Sequence, residues 1–349
     1  MSIGIGIVGC GMIANFHAKA IADAQGAHMV GVTARRPDAA QAFAQEYGCQ
    51  AYATVDEMLA DPAIDAVSVC TPSGHHLDPA VAAANAGKHV IVEKPLEITP
   101  QRCNQIIQAC EQNNVRLGVT FQSRFHQSSQ LMKQAIEGDR FGKITLGDAY
   151  VKWYRTQEYY DSGAWRGTWD LDGGGALMNQ AIHSVDLLLW LMGPVVQVSA
   201  MADTLTHERI EVEDIVVATL RFANGALGVI EATTTAFPGA LKRIEISGSN
   251  GSAVLEEEDI KQWDFADETE TDKQIREEMQ GKTQTGGGAA DPKAINHVGH
   301  MKMFEEMVAA INEGRPSMLD GHEGRRSVEV ICAIYESAKT GKIVSLNQQ

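Results

Sequence analysis

The sequence predicts an α/β protein of two domains, a doubly wound parallel-sheet domain over residues 1–122 and an α+β domain over 123–349 with a large open, mostly antiparallel sheet. Three observations carry this. The first ~120 residues alternate apolar strand runs with helical patterns, as a parallel sheet covered by helices requires. After about Thr120 the rhythm changes to long alternating β runs separated by turn signals. Finally, 349 residues exceed what one small core organises.

In order, Ile3–Val8 reads as a strand and is followed by a helix to about Ala24; residues 28–33 form the second strand, and a helix opens at Pro37. Residues 64–70 are a continuous apolar strand, 78–86 an alanine-rich helix and His89–Val92 a strand. A helix over 100–113 takes Thr99 as its cap, and 115–120 closes the first sheet. The second domain starts with a helix over 128–137 and a strand over 144–154. A glycine-rich turn then opens a very apolar helix over 175–192. Strands are expected at 196–204, Ile215–Phe222, 226–235, 242–247 and 252–255, with hairpin signals at Asn224-Gly225 and Asn250-Gly251. Residues 281–290 have flexible-linker chemistry, and helices near 294–312 and 321–338 finish the chain; the last is a candidate to pack back on the first domain.

Composition bounds the function. The net charge of −16 argues against nucleic-acid binding, which needs a clustered positive face. Half of that charge lies between Glu256 and Glu278, read as a solvated connection or helix face. No run approaches the ~18 apolar residues of a membrane span. A buried strand beginning at Ile3 and six scattered cysteines without metal spacing lead us to expect a cytoplasmic protein with no metal site.

Gly9-Cys10-Gly11-Met12-Ile13-Ala14 joins the first strand to the first helix. Gly9 permits a tight turn, Gly11 lets a pyrophosphate approach the backbone, and Ala14 lets the helix pack closely on the strand. This is the dinucleotide pattern of a Rossmann domain. Where NAD enzymes place an acid for the ribose hydroxyls, the second strand ends in Thr33-Ala34-Arg35-Arg36; two guanidiniums there suit a 2′-phosphate, so NADP is expected over NAD. Thr71, Pro72 and His75, after the 64–70 strand, fall where ligands lie in such sheets.

Glu93-Lys94-Pro95 ends the His89–Val92 strand, so Glu93 and Lys94 are expected at the cofactor, with Lys94 over the nicotinamide end of the site. On the apolar helix after Gly173-Gly174-Gly175, Asn179, His183 and Asp186 fall at i, i+4 and i+7, one polar stripe aimed at a wet pocket. The opening Ile-Gly-Ile-Val-Gly-Cys-Gly, the Glu93-Lys94-Pro95 turn, the Gly-Gly-Gly…His183-x-x-Asp186 helix and the closing Gly321-His-Glu-Gly-Arg-Arg helix together resemble the Gfo/Idh/MocA oxidoreductases, the glucose–fructose oxidoreductase and inositol dehydrogenase family, over essentially the whole chain. The block from Lys152 to Trp169 is similar to members that oxidise nucleotide-linked sugar acids at C3.

The resemblance implies Lys94 and His183 as the catalytic pair, and an open sheet whose exposed face packs against another subunit, giving a homo-oligomer, dimer or tetramer. Many members carry Asp where this chain has Asn179, so Asn179 is expected to orient substrate by hydrogen bonds. Tyr160, Trp165 and Arg166 are candidate substrate contacts, with Arg124 and His300 beside them. The expected reaction is hydride transfer between a nicotinamide and a secondary hydroxyl of a sugar, inositol or nucleotide-linked sugar. The alternative is a cofactor-binding sugar sensor of the same fold that does not turn over.

Overall fold

A computed structural model describes residues 1–283, 288–290 and 296–346. They form two compact units, Met1–Gln122 with Asn296–Val328, and Ser123–Ile295 with Glu329–Gln349.

The first unit holds a six-stranded parallel sheet in the order β3-β2-β1-β4-β5-β6. Its elements are β1 (Ile3–Val8), α1 (Met12–Asp23), β2 (Ala27–Thr33), α2 (Pro37–Tyr47), β3 (Gln50–Tyr52), α3 (Val55–Ala60), β4 (Ala66–Val69), α4 (Leu77–Asn85), β5 (His89–Val92), α5 (Pro100–Gln112) and β6 (Leu117–Val119). The reversal beside β1 makes the sheet doubly wound. β1, β4 and the interior of β5 are buried on both faces, which is why they read as unbroken apolar runs. α2 shows local capping chemistry, with Pro37 in its first turn and Gly48 at its end with φ 67°. Thr99 caps α5 as expected, accepting from the Arg102 N–H. β3 and α3 carry too few periodic residues to be legible in sequence.

The second unit opens with α6 (Gln127–Glu137), β7 (Ile144–Lys152) and the short α7 (Gln157–Asp161). The apolar helix comes in two pieces, a π-helical turn over Ala176–Ala181 and then α8 (Ile182–Met192). β8 (Val195–Asp203), β9 (Ile215–Phe222), β10 (Leu227–Thr233), β11 (Arg243–Gly248), β12 (Gly251–Glu256) and β13 (Asp259–Phe265) follow, then α9 (Glu270–Glu278). With β14 (Val344–Ser345) they form an eight-stranded sheet, β13-β12-β11-β7-β10-β9-β8-β14. It is antiparallel except where β10 runs parallel to β7, a non-consecutive pair that no hairpin connects.

Three expectations are refined by the structure. The acidic stretch from Glu256, read as a solvated connection or helix face, contains β13 and α9; α9 does turn Glu270, Glu277 and Glu278 to solvent, but its Asp272 is buried and receives Arg140 at 2.8 Å and the Trp263 indole N–H at 2.9 Å. In the expected linker, residues 284–287 lie outside the described residues, yet Gly288 and Ala289 accept from the Arg155 guanidinium at 2.7 and 3.0 Å. Both expected hairpins form, β9 with β10 around Asn224-Gly225 and β11 with β12 around Asn250-Gly251, although a positive φ occurs only at Gly225, 89°, and at neither Asn250 nor Gly251.

The expected second domain of 123–349 is corrected: α10 (Val298–Glu313), whose expected start at 294 lies outside the described residues, packs on α1 and belongs with the first unit. The division between units falls inside α11 (Gly321–Thr340).

Candidate functional site

In the first unit, the turn after β1 is shaped by two glycines. Gly9 has φ 100°, and a Cβ there would stand 2.7 Å from the Cys70 carbonyl oxygen. Gly11 is the N-cap of α1 and faces open space, with no cap supplied by its own side chain. Met12 and Ile13 open the helix, leaving its first N–H groups for an anion. Beside the turn lies a cleft of about 240 Å³ walled by Gly9, Thr33, Ala34, Arg35, Thr54 and Thr71. A dinucleotide fits these residues: the close approach needs the glycines, and the cleft has the place of an adenosine ribose. Arg35 and Arg36 are both exposed, Arg36 being the N-cap of α2.

Thr71 and Pro72 lead into a short turn in which Thr71 Oγ1 donates to the His75 carbonyl at 3.0 Å. His75 is exposed, while its neighbour His76 is buried, its ring nitrogens 2.8 Å from the Pro95 oxygen and 2.9 Å from that of Thr71. His76 therefore ties the ligand-facing loop to the end of the Glu93-Lys94-Pro95 turn. Lys94 itself is half-buried.

Behind that turn, Glu93 lies 2.6 Å from the His17 ring, with neither side chain exposed beyond 5%. Burial works against both charges, and the contact overrides it: Glu93 is held below the usual carboxylate range by the imidazole, and His17 above its own by Cys70 and Glu93. His300 completes the group, 3.8 Å from Glu93. Burial and then the neighbouring His17 push it down to about 4. This corrects His300 from substrate contact to a core residue, 1% exposed. The three could be read as metal ligands. However, the 2.6 Å approach is that of a hydrogen bond, and two atoms bound at ~2.0–2.2 Å to one zinc stand well over ~3 Å apart.

In the second unit, the Gly173-Gly174-Gly175 turn launches the helix carrying His183. A Cβ at Gly175 would meet the Glu213 carbonyl, and one at Gly174 the Tyr335 hydroxyl. The N–H groups that no local cap satisfies are taken by the Glu213 carboxylate, from Gly175 at 2.9 Å and Leu177 at 2.8 Å, with Tyr335 donating at 2.9 Å. Burial pushes Glu213 up to about 7 against those bonds.

From Asp172 to Leu189 every residue is buried except Asn179 and His183. The third member of the expected stripe is corrected: Asp186 is 1% exposed and accepts a two-pronged pair from Arg124, at 2.8 and 2.6 Å. Arg124, 2% exposed, is thus a buried ion-pair partner and not a substrate contact. The π-helical turn changes the angular step between Asn179 and Asp186, which no 3.6-residue template anticipates.

Asn179 heads a polar network missed in sequence. Its amide donates to Asp172, which also accepts from the Gly167 N–H at 2.9 Å, and its carbonyl receives Gln180. Gln180 donates to the Tyr159 hydroxyl at 2.9 Å and accepts from Arg155 at 3.1 Å. Arg166 donates to that same hydroxyl at 2.7 Å and lies between the Tyr159 and Trp165 rings, 4.4 and 4.5 Å from their centroids. Tyr160 is corrected: it is 5% exposed, bonded to Thr234 at 2.9 Å and packed on His207. Tyr160 marked the right stretch of chain, but on the short α7 it is the neighbouring Tyr159 that joins the network of Asn179, Gln180 and Arg166.

A glycine turn at the carboxyl end of a central strand in a doubly wound sheet, joined in one chain to an open-sheet unit with a half-exposed His on a buried helix, defines a dinucleotide oxidoreductase of the two-domain kind. The chain belongs to the Gfo/Idh/MocA family: residues 3–121 match the oxidoreductase family, NAD-binding Rossmann fold, and residues 129–254 the GFO/IDH/MocA C-terminal domain. It is 27% identical to inositol 2-dehydrogenase of Rhizobium meliloti, over 99% of this chain and 100% of that one. Among solved structures it is similar to the WlbA dehydrogenase of Bordetella pertussis in complex with NADH and UDP-GlcNAcA, at 37% identity and TM-score 0.90, covering 100% of this chain and 99% of that one. The corresponding Chromobacterium violaceum enzyme, with the same ligands, gives 34% and 0.88, over 100% and 97%. Among the described residues, no helix is long and apolar enough to cross a membrane.

Proposed function

We propose that this oxidoreductase transfers hydride at a secondary hydroxyl of a carbohydrate or polyol, with a nucleotide-linked sugar acid as the first substrate to try. The observation that carries the reading is the pair Asn179 and His183, half-exposed on an otherwise buried helix. His183 takes the hydroxyl proton in oxidation and returns it in reduction, since an imidazole titrates near neutral pH. Lys94 offers a hydrogen bond and positive charge to the developing alkoxide. Asn179, clamped by Asp172 and Gln180, orients the substrate, and the Arg166 guanidinium between two rings suits a sugar carboxylate. When bound, the nicotinamide supplies the hydride acceptor or donor. The WlbA enzymes of similar sequence, solved with UDP-GlcNAcA, support the substrate class.

For the cofactor, the acid-free end of β2 and Arg35 at the cleft support NADP(H). The NADH found in both WlbA structures favours NAD(H) as the second reading. Exposed Met201, Leu227 and Leu146 on the second sheet support a subunit contact there. The enzymatic test is NAD(P)H formation with a panel of UDP-GlcNAcA, myo-inositol and aldoses. Lys94→Ala and His183→Ala should each lower kcat by ~10²–10⁴-fold while cofactor affinity changes little. Near-normal turnover in either variant removes that residue from the mechanism.

A further inference from the structure

The cluster of His17, Glu93 and His300 is buried, ionisable and unused by the chemistry above. We propose that His17 and Glu93 are a positioning pair that sets the orientation and reactivity of Lys94; the relevance to turnover rests on the reading of Lys94 given under Proposed function.

The geometry runs in one line. His17 stands on α1, and its ring is fixed from both sides. Nδ1 faces Ser68 Oγ at 2.7 Å and Cys70 Sγ at 3.4 Å, while Nε2 donates to Glu93 Oε1 at 2.6 Å. Phe304 packs edge-on at 5.3 Å between centroids, and His300 at 5.5 Å, so the ring has no room to turn. The other carboxylate oxygen, Glu93 Oε2, accepts from the Lys94 backbone N–H at 3.1 Å. One carboxylate thus joins the imidazole to the main chain that carries Lys94.

A purely structural role explains this poorly. His17 is 0% and Glu93 4% exposed, and an apolar pair of the same volume would avoid the desolvation that both charges suffer. What an apolar pair lacks is a bond to the Lys94 peptide and a fixed negative charge beside an ammonium. His300, whose Nδ1 has no hydrogen-bond partner among the described residues, is held neutral at pH 7 and adds no second cation to dilute that charge.

The first test needs no substrate. The cofactor-free protein is pulse-labelled with N-hydroxysuccinimidyl acetate, and Lys94 acylation is measured by peptide mass spectrometry against Lys273, whose side chain is 50% exposed. His17→Leu should change the Lys94/Lys273 ratio at least ~3-fold, whereas His17→Gln, which keeps an N–H donor toward Glu93, should stay within ~1.5-fold of wild type. Should His17→Leu not fold, the near-isosteric Glu93→Gln replaces it, with the same expected change. An unchanged ratio in a folded His17→Leu or Glu93→Gln protein overturns the positioning pair. The second test is kcat on the substrate found in the panel. Here His17→Leu should lower kcat ~10–100-fold with KM and cofactor Kd within about threefold, and His17→Gln should recover most of it. A KM effect without a kcat effect also overturns the pair. If instead Lys94 reactivity responds to His17 while Lys94→Ala keeps its kcat, the pair stands and the assignment of Lys94 falls.

Discussion

Replacing Asp186 by Leu removes the carboxylate from a pair in which both partners are at most 2% exposed, taking a two-pronged acceptor and its charge from the buried Arg124 guanidinium. The pair is two-pronged, at 2.8 and 2.6 Å, and Arg124 also lies 5.6 Å from the Trp190 ring centroid. Breaking one side of such a pair costs about 3–5 kcal/mol, most of it the penalty of a stranded charge. For a unit of roughly 190 residues, each kcal/mol moves the melting midpoint about 2–4 °C. The expected fall is therefore on the order of 6–20 °C. The informative control is the double variant Arg124→Met with Asp186→Leu, which removes both charges and keeps the volume. It should return to within about 2 kcal/mol of wild type, because the desolvation both ions suffered is gone. The assay is urea denaturation followed by tryptophan fluorescence, at 0.05 and 0.5 M NaCl, where a buried pair shows little salt dependence. A single variant losing less than about 1 kcal/mol, or a double variant no better than the single, would refute the buried-pair reasoning. It would return Asp186 to the solvent-facing stripe expected from its spacing.

Asn179→Asp should be poorly tolerated at neutral pH, because the Asn179 amide donates to Asp172 and a carboxylate there would face another. The shared proton raises the folded-state pKa, so the variant's stability, present at low pH, is lost as pH rises through that value; a melting temperature independent of pH between 4 and 8 would mean the two side chains do not meet. Glu213, pushed up to about 7 by burial, makes stability fall as pH rises from the unfolded carboxyl value toward 7. Glu213→Gln should flatten that slope while lowering stability through the lost acceptor, and an unaltered slope in pH-dependent melts would show that another group sets it. Ala34→Asp with Arg35→Ala should turn cofactor preference from NADP(H) toward NAD(H), since a carboxylate repels the 2′-phosphate and bonds the free hydroxyls. Kd values for NADH and NADPH by fluorescence titration decide it, and tighter NADH binding by the wild type would place the arginines in solvent.

The sequence by itself determined what depends on neighbours along the chain. The parallel sheet was legible because strands buried on both faces must be apolar throughout, as β1 is from Ile3 to Val8. The dinucleotide turn was legible because the positive φ at Gly9 and the bare backbone at Gly11 allow few residue types. Thr99 and Pro37 marked helix starts for local reasons, Thr99 by accepting from an N–H three residues on and Pro37 by its fixed φ. The tertiary structure decided what depends on residues distant in sequence. Arg124 and Asp186 are 62 residues apart, and His17 and Glu93 are 76, so no local pattern reveals either pair. The apolar helix was visible in its composition, but the Glu213 carboxylate that takes its first free N–H groups stands 38 residues beyond Gly175. For the same reason a half-exposed Asn179 and His183 could be told from a buried Asp186 only once the chain had folded. Spacing says which side chains share a face, but charge partners from elsewhere decide which of them are turned to water.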